Sequence, residues 1–159
     1  MRPMDWTKPG RAHFQGICGI GMAGVAYHVK QLGWQVTGCD AHVNALHAWL
    51  NDVQIAIDDH HDPRHVDTAD LLVVTPAIAP DHPERRAAQA QGIPIFSRGE
   101  VLASLVNARW GIAVCGTHGK TTTSCFITRL LQELDKKPNW CIGGYTPALE
   151  CVAGTDRSD

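Results

Sequence analysis

Short apolar runs with strand character alternate with helix-period stripes along nearly the whole chain, and that order leaves few folds open. Ala12–Ile17 reads as a strand and is followed by a glycine-rich turn. Met22, Val25, Ala26, Val29 and Leu32 then keep helical spacing up to Gly33. Gln35–Cys39 is a second strand. Asn44 is placed to cap a short helix carrying Leu46, Trp49 and Leu50, and Gln54–Ile57 follows as a brief strand. Leu71–Val74 is continuously apolar, as expected of a strand covered on both faces, and Thr75-Pro76 stops it. Asp81-x-x-Glu84 with Pro83 opens a helix that Gly92 ends, and Ile93–Phe96 is another strand. Ser97-x-x-Glu100 has the capping-box spacing ahead of Val101, Leu102, Leu105 and Val106. Trp110–Cys115 then begins a new strand. A helix from Lys120 to Leu134 carries Phe126, Ile127, Leu130, Leu131 and Leu134, and Asn139–Ile142 is a last short strand.

This alternation predicts an α/β protein with a Rossmann-like, doubly wound, mostly parallel sheet. Residues 1–108 supply about five strands, enough for one such domain. Residues 109–159 read as the first strand–phosphate-loop–helix unit of a second α/β domain, too short to close its own sheet, so the chain reads as truncated. A hydrophobic share of 44% is enough to bury a core, which excludes wholesale disorder. No apolar run approaches the roughly 18–20 residues that span a bilayer, and the N-terminus has no signal-peptide core. A net charge of −2 with no basic stripe offers nucleic acid no electrostatic footprint. The expectation is a soluble cytoplasmic protein with neither membrane nor nucleic-acid partners. The six cysteines form no C-x-x-C pair and are read as reduced, mostly buried thiols. Asp58-Asp59-His60-His61-Asp62-Pro63-Arg64-His65 has the composition of a metal site. Its charges run consecutively, however, and neither helical nor strand spacing gathers them, so it is read as an exposed loop.

Two loops carry the chemistry. Gly19-x-Gly21-x-x-Gly24 lies between a strand and a helix, and Asp40 ends the next strand. In such a loop the first glycine permits a tight turn and the second lets a pyrophosphate approach the backbone. The third lets the helix pack closely, and the helix N-terminus faces the negative charge. A carboxylate at position 40 is placed to accept a ribose hydroxyl. The second loop is Gly116-Thr117-His118-Gly119-Lys120-Thr121-Thr122, again between strand and helix. Its backbone amides are suited to cradle phosphates, Lys120 to neutralise the terminal ones, and Thr121 to offer Mg²⁺ a hydroxyl. It is a shorter variant of the usual P-loop, since Val114 stands where the first glycine would fall. A dehydrogenase needs only the first loop and a simple ATPase only the second. A chain that presents one phosphorylated ligand to ATP needs both. A nicotinamide-dependent oxidoreductase or NAD-sensing domain, and a non-catalytic nucleotide-binding module, are the competing classes.

Gly16-Ile-Cys-Gly-Ile-Gly-Met-Ala-Gly24, Val36-Thr-Gly-Cys-Asp40, Val73-Val-Thr-Pro-Ala-Ile78 and Gly116-Thr-His-Gly-Lys-Thr-Thr122 follow in an order that resembles the Mur ligases of peptidoglycan synthesis. Gly92-Ile-Pro-Ile, Arg98-Gly-Glu-Val-Leu and Ile142-Gly-Gly extend the resemblance over residues 12–145. It implies an ATP-dependent ligase that joins L-alanine to UDP-N-acetylmuramate through an acyl phosphate; a member that adds a tripeptide to the same sugar is the alternative. It also implies that Gly16, Gly19, Gly21, Met22, Gly24 and Asp40 contact the UDP-sugar, with Thr75, Pro76 and Ala77 lining the same cleft. Gly116 through Thr122 would bind ATP, with Lys120 on the phosphates as the catalytic group and Thr121 on Mg²⁺. Ala23, Cys39 and Thr75-Pro76 stand where the family more often has serine, and Pro76 has no N–H to donate. The acceptor domain and the acidic metal ligands are expected beyond Asp159, and this chain alone is expected not to catalyse ligation.

Overall fold

The computed structural model describes residues 4–42, 44–145 and 149–155. Five strands form one wholly parallel sheet: β1 (Arg11–Gln15), β2 (Gln35–Cys39), β3 (Ala56–Asp58), β4 (Leu71–Val74) and β5 (Ile95–Ser97), in the order β3-β2-β1-β4-β5. Helices α1 (Ile20–Gln31), α2 (Ala45–Asp52) and α3 (Pro83–Ala90) and a 3₁₀ turn (Pro63–Val66) connect them, and α4 (Arg98–Asn107) follows β5. The chain leaves β1 toward β2 on one side and later crosses to β4 on the other. The doubly wound expectation is met, and a crevice opens between the C-terminal ends of β1 and β4.

The two faces of the sheet differ. Ala12 and Phe14 of β1 join Val36, Leu71 and Val73 in an apolar core packed by α1, with Leu50 and Val101 closing it. The opposite face has only a small apolar cluster of Val66, Leu72, Val74 and Ala88. Beside that cluster, the alternate residues of β1, His13 and Gln15, are buried with Glu84 of α3. Glu84 therefore does not act as a first-turn surface acid. His82 takes the N-cap position, its Nδ1 accepting from the Glu84 N–H.

Local signals held. Asn44 accepts from the Leu46 N–H and caps α2, and Ser97 with Glu100 closes both arms of a capping box on α4. Strand ends moved by one or two residues. β1 ends at Gln15 instead of Ile17 because Gly16 turns away at φ +72°, a backbone region open to glycine. Residues Trp110–Cys115 form no strand and pair with no strand among the described residues, leaving Trp110 and Ile112 exposed. A strand exists only by its ladder, and here none is offered.

The helix that follows, α5 (Lys120–Glu133), buries only Thr128 and exposes Phe126 and Leu130, with Leu134 exposed just beyond its end. Beyond it, β6 (Asn139–Cys141) pairs antiparallel with a strand not read from the sequence, β7 (Ala153–Thr155). This hairpin packs on α1 of the main sheet. His28 Nε2 lies 2.8 Å from the Trp140 carbonyl, and the Tyr27 and Thr155 hydroxyls are 3.3 Å apart. All six cysteines are free, as expected, but only Cys18 and Cys39 are buried; Cys115 is exposed.

Candidate functional site

The first glycine loop sits at the switch point of the sheet and is held from several sides. The Gly16 N–H donates to the Cys39 carbonyl at 2.8 Å, and the Ile17 N–H reaches the same oxygen at 3.2 Å. Asp40 Oδ2 accepts from the Cys18 N–H at 2.9 Å and Oδ1 from the His42 N–H at 2.9 Å. Asn44 Nδ2 donates to the Cys18 carbonyl at 2.9 Å. Asp40 is thus first a brace for the loop. Each of its oxygens keeps a lone pair for an incoming hydroxyl. Gly19 is the N-cap of α1 and offers no side-chain cap, so the helix start presents its amides to whatever enters the crevice. Met22 is buried beneath the loop and packs in the core, so its side chain supports the loop from below.

The other predicted residues surround this loop. A Cβ on Gly16 would lie 2.9 Å from Thr75 Cγ2, so the β1 and β4 loops abut. Thr75 Oγ1 accepts from the Ala77 N–H at 3.3 Å, and Pro76 and Ala77 are exposed at the rim. A Cβ on Gly24 would lie 2.7 Å from Cys141 Sγ, so the third glycine packs α1 against the β6–β7 hairpin. One residue that the motif reading did not single out as a ligand stands here. A Cβ on Gly21 would fall 2.6 Å from Arg98 Nη1, which places the guanidinium directly over the glycine loop. A planar cation above helix-terminal amides is suited to a diphosphate. Arg98 follows Ser97 at the end of β5, the far side of the same crevice, and that position was its sequence signal.

The neighbouring thiols are inert. Burial, with the Asp40 charge adding, pushes the Cys18 thiol up to about 11. Burial likewise takes Cys141 up to about 11 against the opposing charge of Arg98. Neither is a nucleophile at neutral pH.

The second loop is differently made. Gly116 has φ +151° and Gly119 φ +75°, and Gly119 is the N-cap of α5. Thr117, His118 and Lys120 are exposed. Lys120 Nζ donates to the Gly116 carbonyl at 2.6 Å and to the Thr117 carbonyl at 3.1 Å. Thr121 and Thr122 open the helix. A Cβ on Gly144 would lie 3.4 Å from Thr121 Oγ1, so the glycine pair after β6 borders the same spot. The donor set fits a nucleoside triphosphate with Mg²⁺. A left-handed glycine precedes the helix, open space surrounds it, a lysine lies inside the loop, and a hydroxyl follows.

A five-stranded parallel sheet with one glycine loop at its switch point, and a second glycine loop ahead of a separate helix, defines a Rossmann-like α/β protein. The Mur ligase family, catalytic domain, matches residues 11–110, and the chain belongs to that family. It is 42% identical over 146 residues to UDP-N-acetylmuramate–L-alanine ligase of Halorhodospira halophila, covering 89% of this chain and 30% of that one. It is 41% identical to the ligase of the same name from Thermobifida fusca, covering 97% and 33%. Among solved structures it matches the UDP-N-acetylmuramate:L-alanyl-γ-D-glutamyl-meso-diaminopimelate ligase of Neisseria meningitides. That match has a TM-score of 0.84 and 28% identity, over 92% of this chain and 46% of that one. It also matches the UDP-N-acetylmuramate-alanine ligase of Thermotoga maritima, with a TM-score of 0.81 and 31% identity, over 91% and 34%. The chain therefore spans about a third of the length of its curated relatives. No helix among the described residues is long and apolar enough to cross a membrane.

Proposed function

We propose that this chain is the sugar-nucleotide-binding part, with the opening of the ATP-binding part, of a cytoplasmic ligase that joins L-alanine to UDP-N-acetylmuramate. The observation that carries the reading is the convergence of Gly16–Gly24, Thr75–Ala77 and Arg98 on one crevice, with a second phosphate loop elsewhere on the chain. In this reading residues 1–108 hold the UDP-sugar and residues 109–159 begin the ATP domain. The amides at the start of α1 and the Arg98 guanidinium take the diphosphate, and the remaining Asp40 lone pairs take a ribose hydroxyl. Gly16 lets the β1 loop abut Thr75, and Gly21 leaves room for Arg98 to stand over the helix start where the phosphates would lie.

At the second loop, Lys120 exchanges its two carbonyl partners for the ATP phosphates, and the amides from Gly116 to Thr122 complete the cradle. Bound Mg²⁺, taking the Thr121 hydroxyl, would offset the phosphate charge. Placing a carboxylate of the sugar against a neutralised γ-phosphate is the positioning that acyl-phosphate formation needs, and an incoming amine then displaces phosphate. The chain spans about a third of the length of its relatives, and in this reading it does not ligate alone. A tripeptide-adding ligase is the second reading, favoured by the TM-score of 0.84 to the enzyme from Neisseria.

Calorimetric titration of the chain with UDP-N-acetylmuramate, and separately with NADH, tests the assignment of the first loop. Saturable binding of the sugar nucleotide, abolished by Arg98→Ala, is the expected result. Binding of NADH alone would overturn it in favour of a dehydrogenase-like domain. Phosphate release by this chain that depended on both the sugar nucleotide and L-alanine would overturn its inactivity.

A further inference from the structure

On the sheet face opposite the apolar core, four side chains from four separate segments meet: His13 of β1, Cys39 at the end of β2, His65 in the 3₁₀ turn Pro63–Val66, and Glu84 of α3. One donor atom from each lies within 4.8 Å of all the others. His13 Nε2 is 3.3 Å from Cys39 Sγ and 3.8 Å from Glu84 Oε1. Glu84 Oε1 is 3.0 Å from Cys39 Sγ and 2.9 Å from His65 Nδ1. Ligands at zinc-bond lengths of about 2.0–2.3 Å around a tetrahedron stand about 3.3–3.7 Å apart, and these four separations lie close to that range, the other two being within 4.8 Å. The sequence reading assigned His61 and His65 to an exposed loop. Asp59, His60 and Arg64 are exposed, but the 3₁₀ turn swings His65 inward, and His61 Nδ1 comes within 3.1 Å of Cys39 Sγ.

The surroundings supply a second, independent observation. Histidines that ligate metals usually engage their other ring nitrogen with an oxygen that fixes the tautomer and aims the ring. His13 Nδ1 is 2.9 Å from Thr37 Oγ1, and His65 Nε2 is 3.4 Å from Asp58 Oδ2, so both rings point their inner nitrogens at the cluster. Charge points the same way. Glu84 is fully buried, and its ion-pair partners among the described residues are imidazoles alone. A divalent cation with one carboxylate, one thiolate and two neutral imidazoles is electrically neutral, which is what a buried site requires.

We propose that His13, Cys39, His65 and Glu84 form a structural site for a single thiophilic divalent cation of the zinc class, separate from both phosphate loops. Binding forms a sulfur–metal bond and breaks the Cys39 S–H bond, and the proton goes to solvent. The ion would fasten the middle of β1, the end of β2, the 3₁₀ turn and the first turn of α3 together. Cys39 precedes Asp40, the brace of the first glycine loop, so the site would also hold that loop in place.

The test uses the 159-residue chain, stripped with chelator and titrated with Zn²⁺ alone and Co²⁺ alone. The expected result is one tight equivalent of zinc. Cobalt should give a thiolate-to-cobalt charge-transfer band that Cys39→Ser abolishes and Cys115→Ser leaves intact. Zinc at saturation should raise the melting temperature by roughly 5–10 °C, as a ligand at about a hundredfold excess over its dissociation constant does for a domain of this size. Since Cys39→Ser removes a buried group, Asp58→Asn serves as the variant that leaves the core alone. It should weaken zinc about tenfold, because it touches only the outer nitrogen of His65. Absence of the charge-transfer band, or a zinc affinity unmoved by Cys39→Ser and Asp58→Asn together, overturns the site and leaves Glu84 as a purely hydrogen-bonded hub.

Discussion

The two glycine loops share residue chemistry and differ in what holds them. Around the first, the Cys39 carbonyl, Asp40 Oδ2 and Asn44 Nδ2 bind the backbone between Gly16 and Cys18, and Arg98 lies over Gly21. Around the second, the recorded polar contacts of Lys120 return to the loop's own carbonyls, and α5 behind it buries one residue. A phosphate loop is therefore not rigid because of its motif. It is rigid to the extent that neighbouring strands give its amides and carbonyls partners, and only the first loop sits on a completed sheet.

Removing the brace is the strongest way to break that contrast. Asp40→Ala leaves the Cys18 and His42 amides without their acceptor. Hydrogen bonds to a charged group contribute about 1.5–3 kcal/mol each, so urea denaturation should show a loss of about 2–3 kcal/mol after partial compensation by water. Binding of the sugar nucleotide should vanish with it. A loss below about 0.5 kcal/mol would mean that the first loop, like the second, holds itself.

The link between the two regions is the β6–β7 hairpin on α1, and acid should loosen it. Burial holds His28 below its ordinary value of 6.5, with Arg109 adding and the Trp140 carbonyl opposing. A lowered histidine pKa means that the unfolded chain binds the proton more readily. Its contribution to stability is complete above pH 6.5 and is lost as the pH falls toward the folded value. Stability measured between pH 7 and pH 5 should fall, and His28→Gln should flatten part of that slope. His82, lowered mainly by burial, contributes in the same direction. Glu84, whose hydrogen bonds from His13, Cys39, His65 and Gln15 outweigh the burial that would raise it, loses its contribution only in the more acidic carboxylate range. An identical slope in His28→Gln would place the hairpin's attachment elsewhere.

Legibility followed locality. The Asn44 cap, the Ser97–Glu100 box, the strand–turn–helix setting of the first glycine motif and the helix that follows the second are decided within a few residues, and all were readable. The parallel sheet was readable because alternation forces crossovers. Trp110–Cys115 has strand composition but no ladder partner among the described residues, and β7 is too short and small-residued to show a period. The buried face was harder. His13 and Gln15 alternate with Ala12 and Phe14, a pattern that ordinarily puts the polar pair in water. Only the return of His65 and Glu84 from distant segments makes that face an interior. Arg98 was visible as a residue and not as a ligand, since its place over Gly21 depends on β5 lying beyond β4.

The smallest effect separates function from stability most cleanly. Lys120 is exposed, and its two contacts to Gly116 and Thr117 lie within a segment that touches little else. Exposed substitutions of this kind change stability by no more than about 0.5 kcal/mol, so Lys120→Ala should unfold in urea with the parent chain. ATP binding, wherever the ATP domain is complete enough to show it, should be lost. A destabilisation above about 1 kcal/mol would mean that the ammonium staples the loop much as Asp40 braces the first. The two loops would then differ in where their brace comes from, a side chain within the motif or one from the next strand, and not in whether they have one.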